Sequence, residues 1–219
     1  MQWADHSREF PSGSHTLFSP SQPAWRNDKS SEDVLSRYYR SLATFIGTAV
    51  HEEARDCILT NTKYTKNEAK KAITKKLLTY KPYIPRGAFD AEFLATNFVN
   101  YVTDALGYMM VPEQALYYSE WCAGTADAII FDEDKKVLRI HDLKTGTTPA
   151  KFEQLETYAA LFFLEYGSRL NVNPGNCQIE LRIYQAGEVV EEYPTAEIIL
   201  PVMDSIKWHT SIMQRAMEG

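Results

Sequence analysis

Residues 126–146 read ADAIIFDEDKKVLRIHDLKTG, and the fold turns on them. Two β-rich runs, 126–131 and 137–142, flank the polar turn DEDKK, which predicts an antiparallel hairpin. Centring that hairpin on Asp134 sets Asp127 opposite His141 or Asp142, at the open end. Side chains alternate faces along a strand, so Asp142 and Lys144 share a face if the extended backbone continues through Leu143. Two carboxylates and one ammonium are then expected on one patch, with His141 on the other face.

The flanking sequence places this hairpin in a larger sheet. Downstream, a helix is expected over about 149–166, followed by the strands QIELRIYQ and EVVEEYP and a helix over about 197–217. Upstream, ALYYSEW reads as a further strand. Before it come three helical patterns, about 31–59, 66–80 and 88–106, the first opened by SSED as N-cap and acidic first turn. Residues 1–32 are rich in Ser, Pro and Gly and read as irregular structure with a few aromatic anchors. The expected class is α/β (α+β): a central mixed sheet flanked by helices, with an N-terminal helical part. The expected organisation is an irregular segment 1–32, a helical region 33–110 and a core 111–219, within one compact domain.

Bulk properties narrow the function. The 219 residues are enough for a sizeable core without disulfides or a structural metal. The 3 cysteines, Cys57, Cys122 and Cys177, are scattered without a CxxC pair, which argues against a disulfide framework, a zinc ribbon or an iron–sulfur cluster and predicts a reducing, cytoplasmic setting. The polar start MQWADHSREF lacks the plan of a signal peptide, and the longest apolar run, YAALFFL, is too short to span a bilayer, so a soluble protein is expected. The net charge of −6 speaks against non-specific coating of nucleic acid. Yet residues 63–86 hold seven lysines and one arginine against one glutamate, a local +7 that leaves −13 elsewhere. Such a stretch is either a phosphate-contacting surface or a solvated helix face.

Two carboxylates a few ångströms apart repel each other, and a divalent cation relieves the repulsion. Hard oxygens are the usual ligands of Mg2+. A lysine beside such a site can orient or deprotonate water and stabilise charge developing on a phosphate. This set of parts suits metal-assisted phosphodiester hydrolysis. The competing reading of Asp142 and Lys144 is a salt bridge at a turn, with Asp127 a strand-end cap.

GTADAII, IHDLKTG and QLETYA, in this order and spacing, resemble the RecB-like branch of the PD-(D/E)XK nuclease superfamily, with its G-x-x-D, D-x-K and Q-x-x-x-Y elements. Here these are Gly124 to Asp127, Asp142 to Lys144, and Gln154 to Tyr158. GTAVHEEA resembles the upstream helix on which that branch carries a metal-binding histidine, here His51. The resemblance covers about residues 50–160 and implies a restriction-endonuclease-like core. It implies His51, Asp127, Asp142 and the Leu143 backbone carbonyl as ligands of Mg2+ or Mn2+, and Asp127, Asp142 and Lys144 as the catalytic set. Gln154 and Tyr158 then touch the substrate strand or brace the site, and Glu113 matches an acid often found upstream of G-x-x-D. No GxxxxGK[ST] loop occurs, so no ATP motor is expected. Two rival motifs fail: KTG lacks an accompanying S-x-x-K, and HEEAR has Arg55 where a zincin needs its second histidine.

The expected function is a stand-alone, metal-dependent DNA exonuclease of phage type, active in recombination or DNA processing in the host cytoplasm, with 5′→3′ polarity favoured by family analogy. Lys70 and Lys75 on the basic helix are expected to meet the DNA backbone. Phe18 and Trp25 are candidates for stacking on bases. A single-strand annealing or binding protein and further copies of the chain are the implied partners, with no membrane association. The alternatives are a structure-specific endonuclease with the same site, and a non-catalytic DNA-binding or assembly module.

Overall fold

The computed structural model describes residues 16–81, 84 and 88–218. The expectations for residues 1–15, and for the proline-rich stop after the basic helix at 82, 83 and 85–87, lie outside the described residues. Two compact units follow one another, Met1–Phe45 and Ile46–Gly219.

In the first unit, Trp25 sits in a short 3-10 helix, Pro23–Asn27, and donates its indole N–H to the Ser19 carbonyl at 3.0 Å. Phe18 meets the Trp25 ring edge-on, with centroids 5.7 Å apart. These two aromatics are engaged with one another. Helix α1, Ser31–Leu59, begins in this unit. Its start is capped by Ser30, whose hydroxyl accepts from Asp33 N, while the Asp33 carboxylate accepts from Ser30 N.

The second unit holds the rest of α1, then α2 (Lys66–Tyr80) and α3 (Ala91–Gly107). Thr65 and Glu68 form a full capping box at α2. Asp90 accepts from Glu92 N and Phe93 N, so α3 begins later than residue 88. The strands are β1 (Val111–Ser119), β2 (Cys122–Asp132), β3 (Val137–Leu143), β4 (Gln178–Gln185) and β5 (Glu188–Glu192). Helix α4, Glu153–Leu170, lies between β3 and β4, and α5, Ala196–Glu218, closes the chain.

The sheet runs in the order β1-β2-β3-β4-β5. Neighbours are antiparallel except β3 and β4, which pair in parallel and need α4 as their crossover. The fold is therefore mixed α/β with an N-terminal helical part, as the sequence predicts. The hairpin pairs Ala128 with His141 through Asp132 with Val137, so Asp127 and Asp142 stand one step beyond, at its open end.

Alternation on β3 gives the sheet two different faces. Leu138 and Ile140 join Leu155, Ala159 and Phe162 of α4 and Ile199 of α5 in the apolar core. Each such aliphatic side chain contributes roughly 1.5–3 kcal/mol through burial. The other face meets α3 and is polar. The Tyr184 hydroxyl donates to Asp104 Oδ2 at 2.7 Å and lies 3.1 Å from His141 Nδ1. Arg182 ion-pairs with Glu180 at 2.6 Å and with Asp104 at 3.0 Å. Burial, aided by the charges of Arg182 and Arg139, pushes His141 down to about 3, so it stays neutral there. Among the described residues no helix is long and apolar enough to cross a membrane.

Candidate functional site

Helix α1 delivers His51 to the open end of the hairpin. Ala49 and Val50 just before it are fully buried, which anchors the helix and leaves the His51 ring partly open, 30% exposed. His51 Nδ1 lies 3.3 Å from Asp127 Oδ2 on β2. The same oxygen accepts the Leu143 amide at 3.0 Å, so Asp127 ties β2 to the end of β3.

Glu113 on β1 completes a cluster. One ligand atom from each of His51, Glu113 and Asp127 falls within 4.8 Å of the others. The β1–β2 ladder pairs Pro112 with Ala128 and Gln114 with Ala126 and skips Glu113. Glu113 sits there at φ 51°, in the left-handed region inside a strand. A non-glycine residue in that region costs on the order of 1–3 kcal/mol, and such strain concentrates at functional sites.

The electrostatics follow from this crowding. Burial and the neighbouring Asp127 push the Glu113 carboxyl up, while His51 and Arg55 pull it down. For His51, burial opposes the charged form, but the Asp127 hydrogen bond and the charges of Asp127, Asp142 and Glu113 outweigh it, and the net shift is upward. Burial and Asp127 push Asp142 up to about 6, against the pull of Lys144 and His51. An excess of carboxylates over cations is what a divalent cation would relieve.

Asp142 is outside the three-donor cluster and anchors a second line of contacts. Lys144 N–H donates to the Tyr184 carbonyl at 3.0 Å, so the extended backbone continues past Leu143. The Lys144 ammonium therefore returns to Asp142, donating to Oδ1 at 3.0 Å. It also donates to Gln154 Oε1 on α4 at 2.9 Å. Gln154 Nε2 in turn donates to the Tyr158 hydroxyl at 3.2 Å, across one helical turn. Asp142 Oδ2 is buried and also lies 3.0 Å from the ammonium, so both oxygens of this carboxylate face the same cation.

The donor set is of a kind that can hold a divalent cation, and it does not by itself select which one. His51, Glu113 and Asp127 supply one imidazole nitrogen and carboxylate oxygens.

The chain matches no protein-family model, no curated protein and no solved structure.

The basic stretch splits by task. Lys76 lies 2.9 Å from Asp56, 3.7 Å from Glu52 and 3.8 Å from Glu53, which fastens α2 to α1. Lys66 and Lys70 share Glu92 at 2.8 and 3.4 Å. Lys71 and Lys75 form no ion pair among the described residues; with Lys70 they line one open face of α2 together with Asn67, Thr74 and Leu78. Three residues near the site escape a reading of the sequence. Arg55 stands one helical turn beyond His51 and acts electrostatically on Glu113. Asn97 and Gln185 bind the backbone that carries Lys144. An amide inside an apolar run is the available signal for those two, and it does not say what the amide holds.

Proposed function

We propose that this chain is a divalent-cation-dependent deoxyribonuclease, a RecB-like member of the PD-(D/E)XK nucleases that degrades DNA from an end. The observation that supports the reading best is the juxtaposition of two arrangements. His51, Glu113 and Asp127 form a cation-sized donor cluster, and beside it Lys144 is held between Asp142 and Gln154.

In this reading His51, Glu113 and Asp127 hold Mg2+ or Mn2+, with Asp142 at its edge. A bound cation would supply Lewis acidity toward a phosphoryl oxygen and lower the pKa of water. The chain's own contribution centres on Lys144. Its ammonium, 29% exposed, can donate to a water or to a phosphate oxygen while Asp142 and Gln154 fix its position. The open lysine face of α2, with Lys70 and Lys75, would draw in the phosphate backbone independently of sequence. Action in the host cytoplasm during phage recombination, beside a strand-annealing protein, follows from the family analogy, as does 5′→3′ polarity.

The test uses linear single- and double-stranded DNA labelled at either end, and a covalently closed circle, each with Mg2+ and with chelator. Release of mononucleotides from linear DNA alone, lost with chelator and in Lys144→Ala, is the expected result. Cleavage of the circle would make the enzyme an endonuclease with the same site. DNA binding without cleavage in any metal would leave a binding module and end the enzymatic reading.

A further inference from the structure

The segment between the end of β3 and the start of α4 has to place two groups against each other. Lys144 stands at its beginning, and Gln154, which accepts from the Lys144 ammonium, stands just after its end. Helix α4 begins without a side-chain cap: Phe152 is its N-cap residue and provides none. Residues 146–149 are exposed. Within the stretch, Pro149 restrains one φ angle and Lys151 lies 3.5 Å from Glu153 in an exposed pair.

One side chain from another strand supplies that order. Gln185, the last residue of β4, is nearly buried at 9% exposure. Its Nε2 donates to the Gly146 carbonyl at 2.7 Å and to the Thr148 carbonyl at 2.8 Å. Its Oε1 accepts from Ala150 N at 2.9 Å. Both amide hydrogens and the carbonyl are thus used on three backbone groups within five residues. Gln185 follows Tyr184, whose carbonyl accepts the Lys144 amide, so the clamp is referenced to the strand that holds Lys144. Asn97 on α3 works from the far side. Its Oδ1 accepts from Gly187 N at 2.7 Å in the turn after Gln185, and its Nδ2 approaches the Lys144 carbonyl at 3.4 Å. Gly187 at φ 79° and Ala186 at φ 56° make that turn tight enough for Asn97 to reach it.

We infer that Gln185 is a positioning residue for Lys144: it holds the 146–150 backbone so that Gln154 meets the ammonium opposite Asp142. The role deepens the proposed nuclease reading and rests on it for its catalytic consequence, whereas the placement of Lys144 is measurable by itself. Outer groups that orient metal ligands change affinity or activity by about 10–100-fold when removed, and the loss of Gln185 is expected to act on Lys144 on the same order.

The experiment compares wild type with Gln185→Met, which keeps the volume and removes the hydrogen bonds, and with Gln185→Asn, which keeps the amide on a shorter stem. Two quantities are read on protein whose melting shows it folded. The first is the rate of Lys144 acylation by an amine-reactive ester, followed by mass spectrometry of the Lys144 peptide. The second is kcat and KM on linear DNA with Mg2+. In both variants Lys144 acylation is expected to rise several-fold as the ammonium loses its contact with Gln154. The kcat is expected to fall about tenfold or more, with KM and Mn2+ affinity unchanged, because His51, Glu113 and Asp127 do not touch Gln185. Unchanged Lys144 acylation in folded variants would overturn the inference, as would undiminished kcat in the variants when the wild type cleaves. Should wild type not cleave at all, faster acylation in the variants would still uphold the placement of Lys144 while the nuclease reading fell.

Discussion

The ring of Tyr158 lies against the backbone of Gly124: a Cβ added at Gly124 would come within 2.8 Å of Tyr158 Cε1. The glycine of the G-x-x-D pattern thus has a steric purpose, since it lets α4 approach β2 closely enough for Tyr158 to receive Gln154. Gly124→Ala is expected to displace the Tyr158 ring and loosen the Gln154 contact to Lys144. Overpacking of this kind costs about 1–3 kcal/mol. In a Tyr158→Ala background the same change should cost little, because the clashing ring is gone. Melting curves of the two single variants and the double variant measure that coupling; additive losses would show that Gly124 and Tyr158 do not constrain each other.

Cation binding should depend on pH through His51. Its folded pKa is raised by the Asp127 hydrogen bond and the surrounding carboxylates, so the empty site holds that proton more tightly than an ordinary imidazole and must release it to ligate. Mn2+ affinity is therefore expected to weaken as pH falls from 8 to 6, with proton release on binding. Calorimetry in buffers of different ionisation enthalpy reads both. His51→Ala should bind more weakly and lose most of that proton release. An equal release in wild type and variant would remove His51 from the ligand set.

Asp142 is expected to oppose stability where the site would work. Its folded pKa, about 6, stands above the ordinary 3.8, so between those values the native state holds the proton more tightly than the unfolded chain. Stability attributable to this group is full below pH 3.8 and declines as pH rises through 6. A shift of this size amounts to about 3 kcal/mol at most. Asp142→Asn should accordingly melt several degrees higher than wild type at pH 8 without metal, with the gap closing near pH 4. A lower melting temperature at pH 8 would mean that the Lys144 pairing outweighs burial.

The lysine face of α2 gives a salt-dependent expectation. Lys70→Glu combined with Lys75→Glu should weaken DNA binding and flatten its dependence on salt, by about one unit of log–log slope per lost phosphate contact. Fluorescence anisotropy on a labelled duplex between 50 and 200 mM salt measures it. An unchanged slope would reduce these lysines to a solvated surface. Lys76→Ala should act differently, loosening α2 from α1 through Asp56 and lowering stability.

Periodicity and local chemistry made much of the fold legible before any coordinates. The alternation in 126–142, the helical patterns of about 31–59 and 66–80, and the SSED start of α1 are short-range features that a linear sequence contains in full. Asp142 and Lys144 share a face for the same reason, since two residues on one extended strand cannot do otherwise. The boundaries moved where one distant or flanking partner intervened. Asp90 delayed α3, and α4 begins at Glu153, just beyond the backbone that Gln185 holds.

The sequence by itself thus determined the elements, the hairpin and the chemical types available at its open end. Tertiary structure alone decided that Glu113 turns through a left-handed backbone to join His51 and Asp127, that Lys76 serves the α1–α2 contact while Lys75 stays open, and that Gln185 reaches back 39 residues to Gly146. The reason is physical: turns, caps and strand alternation depend on neighbours a few residues away, whereas these contacts depend on where separate elements come to rest once the apolar core between the sheet and α4 has closed.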